Sequence, residues 1–145
     1  MIKNILILNG PNLNMLGVRE SDIYGTQSLE DIEKMCIKHA KTLNQTIDFR
    51  QSNTEGELVD WIQEAHNKFD AIIINPAAYT HTSIAIHDAL RSVDIPIIEV
   101  HLSNIYKREE FRHKSYVSAV AMGIICGLGT NGYNLALSAL ANHNK

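Results

Sequence analysis

Ala71-Ile72-Ile73-Ile74-Asn75-Pro76 is the stretch from which the fold follows. Four apolar residues run without polar alternation, which describes a strand buried on both faces rather than one with a wet side. Asn75-Pro76 stops it, because proline offers no N–H and restricts the residue before it. Such a strand belongs in a parallel sheet covered by helices. The flanking sequence supplies those helices. Upstream, Thr54 and Glu57 have capping-box spacing ahead of a helix running through Trp61, Ile62 and Ala65. Downstream, Thr82 or Ser83 can cap a helix to about Ser92.

Further out the alternation continues. Ile2 to Leu8 reads as the first strand, ended by the turn signal Asn9-Gly10-Pro11-Asn12. Ser28, with Glu30 and Asp31 behind it, opens a helix to about Leu43. Thr46 to Gln51 alternates as a second strand with Ile47 and Phe49 on one face. Ile95 to Val100 is the fourth strand, Val117 to Ile125 contains the fifth, and a last helix spans about Gly132 to Asn142. Strands alternating with helices predict one α/β domain over 1–145: a flavodoxin-like three-layer fold, with helices on both faces of a five-stranded parallel sheet. Right-handed crossovers give the strand order 2-1-3-4-5.

Of the chain's 145 residues, 45% are apolar and 20% charged, which suits one folded core and not a disordered chain. A net charge of -3 offers no footprint for nucleic acid or an anionic membrane. The basic residues from Lys107 to Lys114 are interrupted by Glu109 and Glu110, so they suit a solvated or site-lining segment. Cys36 and Cys126 lie far apart in apolar runs, implying core residues and neither a disulfide framework nor a zinc ribbon. Ile5 to Leu8 is too short for a signal-peptide core, and no stretch reaches membrane-spanning length, so the expected location is the cytoplasm.

The polar residues collect at one place. In open α/β sheets ligands bind beyond the carboxyl ends of the strands, where strand order reverses. Strand one ends at Asn9 and Asn12, strand three at Asn75, and strand four at Glu99, His101 and Ser103. Period-2 geometry sends the last three side chains to one side. A carboxylate beside an imidazole orients the ring and raises its proton affinity, which prepares a general acid. An amphipathic strand end with a solvated face is the other reading.

The loop from about residue 13 to 26 exceeds the usual βα connection of ~2–6 residues. Gly17 and Gly25 bracket Arg19 and Tyr24, so it can act as a lid. A guanidinium near a phenol favours the phenolate, making Tyr24 a candidate base for a carbon acid, although a ring packed on the surface accounts for it equally well. His81 precedes a helix that carries Asp88, and helix starts hold polar groups. Arg112 lies where a segment can fold back over the site. The other histidines (39, 66, 87, 113 and 143) read as surface or tail residues, and no metal-ligand spacing such as H-E-x-x-H exists. Gly127-Leu128-Gly129-Thr130-Asn131-Gly132 spells G-x-G-x-x-G, but no further strand with an acidic residue follows before Lys145. It reads as a tight turn.

Taken in order, several motifs resemble the type II 3-dehydroquinate dehydratases across essentially the whole chain. They are Asn9-Gly10-Pro11-Asn12-Leu13-Asn14, Arg19 with Tyr24-Gly25, Gln51-Ser52-Asn53-Thr54-Glu55-Gly56, Asn75 through Ser83, and Glu99-Val100-His101-Leu102-Ser103-Asn104. Glu109, Phe111 and Arg112 also agree. The resemblance implies loss of water from 3-dehydroquinate to give 3-dehydroshikimate in the shikimate pathway, with no cofactor and no metal. By the same resemblance Tyr24 accepts the C2 proton with its pKa lowered by Arg19, Asn12 stabilises the enolate, and His101, oriented by Glu99, protonates the departing hydroxyl. Asn75 and the backbone N–H groups of Leu102 and Ser103 take the substrate carboxylate, while His81, Arg112 and Asp88 of a neighbouring subunit recognise hydroxyls. The family assembles as a dodecamer of trimers; the residues themselves offer only a final helix, Leu135 to Ala141, that is apolar nearly all round. The rival reading is a flavodoxin-like FMN-binding protein or receiver-type signalling domain. A receiver needs an aspartate where Asn75 stands, and an FMN site needs a Ser/Thr-rich loop where Gly10-Pro11-Asn12-Leu13-Asn14 stands.

Overall fold

In the computed structural model, which describes residues 1–18, 22 and 26–143, the elements follow the expected alternation. They are β1 (Asn4–Asn9), α1 (Leu29–Thr42), β2 (Thr46–Gln51), α2 (Glu55–Lys68), β3 (Ala71–Asn75), α3 (Ile84–Ser92), β4 (Ile97–His101), β5 (Gly123–Cys126) and α4 (Asn131–Ala141). The strands form one parallel sheet in the order β2-β1-β3-β4-β5. Strand order therefore reverses between β1 and β3, where Asn9 pairs with Asn75.

Side chains of the central strands divide by parity between two apolar layers, as a period of two requires. Ile5, Ile7, Ile73, Ile98 and Val100 pack with Ile32 and Cys36 of α1 and with Tyr133, Leu137 and Leu140 of α4. Leu6, Leu8, Ile72, Ile74 and Ile97 pack with Leu58 and Ile62 of α2 and with Ile86 and Leu90 of α3. The apolar reading of 71–74 thus reflects burial under helices on both sides. Asn9 and Asn75 continue the first layer's parity and Glu99 and His101 the second's, so the sheet edge carries polar groups on both of its faces. Cys36 is a core residue whose thiol burial, helped by Glu33, pushes up to about 12; Cys126 is half-buried.

Several boundaries differ from those expected. β1 begins at Asn4 and runs through Asn9, and β4 begins at Ile97 and includes His101. β5 is only four residues and ends at Cys126. Ser28 and Asp31 form a complete capping box, each side chain accepting the other's backbone N–H. Thr54 makes no such bond; its own N–H donates to Ser52 Oγ at 2.9 Å, so the turn before α2 is held by Ser52. Ser83, not Thr82, caps α3 by accepting from Ile86 N. Of the segment expected as a lid, Leu13–Met15 forms a 3₁₀ turn with Leu13 and Leu16 buried in the α1/α4 layer. Residues 127–132 make the tight turn into α4, with Gly127 and Gly129 at φ 87° and 62°. Among the described residues no helix is long and apolar enough to cross a membrane.

Candidate functional site

A cavity of about 160 Å³ opens beyond the carboxyl ends of β1, β3 and β4. It is smaller than the ~300–1,000 Å³ typical of drug-sized sites, which suits a small, single-ring ligand. Pro11 and Asn12 wall it after β1, Asn75, Ala77 and Ala78 after β3, and His101, Leu102 and Ser103 after β4. The two loops at the switch point meet closely because position 10 is glycine. A Cβ there would lie 2.4 Å from the Pro76 carbonyl oxygen. Gly10 N also donates to the Asn75 carbonyl at 2.8 Å, tying β1's exit to β3's. Asn12 sits in the left-handed region at φ 70°, which asparagine tolerates better than most residues, and its N–H donates to Asn53 Oδ1. Ala77 is also left-handed, at φ 52°, so backbone strain is concentrated on the cavity wall.

On the α4 side, Tyr133 links the two strand-end amides. Its hydroxyl donates to Asn9 Oδ1 at 2.6 Å and accepts from Asn75 Nδ2 at 3.0 Å, while Asn75 Oδ1 accepts from Ala77 N at 3.2 Å. Asn75 Nδ2 has a second proton, and the cavity wall is where Asn75 lies. Burial pushes the Tyr133 phenol well above its ordinary range, so it remains a neutral bridge.

Beneath the other side of the cavity lies the Glu99–His101 pair. Both residues are buried, and His101 Nε2 donates to Glu99 Oε2. Thr80 Oγ1 and Ser115 Oγ also donate to Oε2, at 3.0 and 2.9 Å, and Ser118 Oγ donates to Oε1. Burial by itself raises a carboxyl's pKa. Here the His101 hydrogen bond and charge, then Ser118 and Ser115, overcome it and hold Glu99 below the ordinary carboxylate range. With Nε2 committed to Glu99, any proton His101 passes to a ligand leaves from Nδ1. The arrangement can therefore deliver a proton into the cavity and reset against a fixed carboxylate.

His81 also lines the cavity, its ring stacked on His101 at 6.5 Å between centroids. Its Nδ1–H donates to the Lys114 carbonyl at 2.8 Å. Burial lowers its pKa, the Lys114 bond works the other way, and the nearby His101 and Arg112 lower it further. The neutral ring thus presents Nε2 as an acceptor. Arg112 reaches the cavity with Nε donating to Glu109 Oε2 at 2.7 Å, and Arg108 joins it from the same fold-back segment. Asp88 is not brought to this cavity: its side chain is 70% exposed on α3 and pairs with His87 Nδ1 at 3.0 Å. Arg19 and Tyr24 lie outside the described residues. Arg108, Thr80, Ser115, Ser118 and Tyr133 belong to the site without having been singled out from sequence. Thr80 stands inside the Asn75–Ser83 motif, but nothing local distinguishes the two serines, which meet Glu99 only because 108–118 folds back.

The sequence model of the family described as Dehydroquinase class II matches residues 3–141. A 3-dehydroquinate dehydratase of Brucella canis is 61% identical over 141 residues, covering 97% of this chain and 90% of that protein. Among solved structures, a type II dehydroquinase from Propionibacterium acnes superposes with a TM-score of 0.95 at 49% identity, covering 99% of each chain. One from Butyrivibrio crossotus gives 0.94 at 49% identity, covering 98% of this chain and 99% of that one.

Proposed function

The chain belongs to the class II dehydroquinase family, and we propose that it converts 3-dehydroquinate to 3-dehydroshikimate and water by an enolate route with His101 as the acid and Tyr24 as the base. The activity is that of a hydro-lyase in the shikimate pathway, and the flavodoxin-like FMN-binding or receiver alternative is not favoured. The buried Glu99–His101 pair under the switch-point cavity is the observation that carries the assignment of the acid.

In this reading Tyr24, made more acidic by Arg19, takes a proton from C2, next to the ketone. The electron pair moves into the enolate, whose oxygen Asn12 stabilises. The C1–O bond then breaks. Hydroxide leaves poorly, so His101 Nδ1 gives it a proton and water departs, closing the C1–C2 double bond in conjugation with the ketone. Proton return from Tyr24 to His101, directly or through solvent, resets the site. Asn75 with the backbone N–H groups of Leu102 and Ser103 holds the carboxylate, and His81 and Arg112 hold ring hydroxyls. Asp88 supplies its contact from a neighbouring subunit of a cytoplasmic dodecamer of trimers, and its exposed position on α3 supports that role. A sedimentation mass of twelve chains is the check on assembly.

The activity is tested by incubating purified, chelator-treated protein with 3-dehydroquinate and following the ultraviolet absorbance of the conjugated enone. Turnover on the ordinary enzymic scale is expected, with kcat of roughly 1–10³ per second. Folded protein that leaves the substrate unchanged rules the reading out.

A further inference from the structure

The Glu99 carboxylate faces donors on every side. Oε2 receives His101, Thr80 and Ser115, and Oε1 receives Ser118. Among these, Ser115 has no freedom in its proton. Its Oγ accepts the backbone N–H groups of Val117 and Ser118, both at 3.1 Å. A hydroxyl has two lone pairs and one proton. With both lone pairs occupied, the proton has to point outward, and Glu99 Oε2 stands 2.9 Å away. Thr80 Oγ1, 3.3 Å from Ser115 Oγ, finds no acceptor site left there and turns its own proton to Oε2. The turn at 115–118 thus fixes the direction of the hydrogen bonds at the carboxylate before any ligand binds.

We propose that Ser115, locked as a donor by the turn it caps, is a positioning residue that holds Glu99 as a pure acceptor and so keeps His101 Nε2–H bonded to it and Nδ1 free for proton transfer, with Ser118 and Thr80 completing the cage. Protonating Glu99 would weaken the hydrogen bonds it accepts from Thr80, Ser115 and Ser118, so the cage favours the ionised carboxylate, the shared proton stays on His101 Nε2, and Nδ1 is left for the ligand. Among the described residues, the other groups facing the pair do not compete for that proton. From the 77–81 turn comes His81, held neutral; from 110–112 comes Arg112, paired with Glu109; Arg108 lines the cavity beside them. β5 presents Cys126 opposite His101, and burial and the Glu99 charge keep that thiol protonated. β3 presents only Ile74 opposite Glu99.

The catalytic consequence rests on the function proposed above; the electrostatic one does not. The experiment uses Ser115→Ala, with Ser115→Thr as the hydroxyl-retaining control, and Ser118→Ala as a second route, since among the described residues the Ser118 hydroxyl bonds only Glu99 and no turn depends on it. Two quantities are read: the ¹³C-carboxyl titration of Glu99 in substrate-free protein, and the acidic limb of the kcat–pH profile. Both move upward by about one pH unit in each alanine variant, the size expected for losing one hydrogen bond to a charged group, and Ser115→Thr returns them. A serine that only packs the turn would lower the melting temperature and leave both readings in place, and that result overturns the proposal. The substrate-free titration keeps the two readings apart: it moves in the variants even if the wild-type protein fails to dehydrate 3-dehydroquinate, and a stationary titration overturns the cage whatever the activity.

Discussion

His81 and Glu99 meet the same problem, burial of an ionisable group, and solve it in opposite charge states. His81 stays neutral because burial and the nearby His101 and Arg112 disfavour its cation. Glu99 stays charged because donors surround it. Both nevertheless have folded pKa values below their ordinary ones, so both bind fewer protons in the fold than in the unfolded chain. The linkage sign is therefore common to the two: each contributes stability at high pH that is lost on acidification. The His81 contribution is complete above its free value of 6.5 and is lost as pH falls through its folded pKa. The Glu99 contribution is complete above 4.5 and disappears below that. Melting temperature should accordingly be level from 6.5 up to about 9.0, above which the buried Cys36 thiol, ionising only in the unfolded chain, counts against the fold, and should decline in two stages below 6.5. In His81→Gln the first stage should vanish while the second remains, measured by circular dichroism across the pH range. An unchanged upper stage in that variant would show that some other group titrates there.

At the scale of elements, the site depends on how closely the exits of β1 and β3 approach. Replacing Gly10 with alanine puts a methyl group 2.4 Å from a backbone oxygen, which no side-chain rotation relieves. We expect Gly10→Ala to destabilise the fold by ~1–3 kcal/mol, the usual cost of overpacking, and to raise KM as the cavity wall shifts. A variant with unaltered denaturant midpoint and KM would mean that the two loops separate freely. The elements themselves were legible because strands apolar throughout leave one sheet architecture open, and the order of polar strand ends then located the cavity. The capping of α2 was not, since Thr54 and Glu57 have capping-box spacing while Ser52, two residues earlier, takes the bond. Nor was the cage around Glu99. Ser115 and Ser118 lie 16 and 19 residues from it in a segment with no periodicity, and only the tertiary path of 108–118 brings them there. Tyr133 was hidden for the same reason: it bridges Asn9 and Asn75 from 124 and 58 residues away.

For the molecule as a whole, the proposed roles fall on two stretches of chain, the buried sheet edge and the segment that follows β1. The sheet edge carries the proposed acid: His101 with Glu99 at the end of a buried strand, and Asn75 fixed through Tyr133. The proposed base, Tyr24, and its proposed partner Arg19 belong in sequence to the segment after β1. Two half-reactions proposed for two different stretches of the chain ought to be separable by mutation. The most direct test is to place His101→Ala with 3-dehydroquinate in D₂O and follow, by NMR, both deuterium entry at C2 and loss of water. Dehydration should fall by roughly 10²–10⁴-fold, the usual contribution of a general acid, while exchange at C2 continues because Tyr24 still forms the enolate. Dehydration at the wild-type rate, or exchange and dehydration lost together, would contradict the assignment of His101 as the acid that acts after the proton is taken.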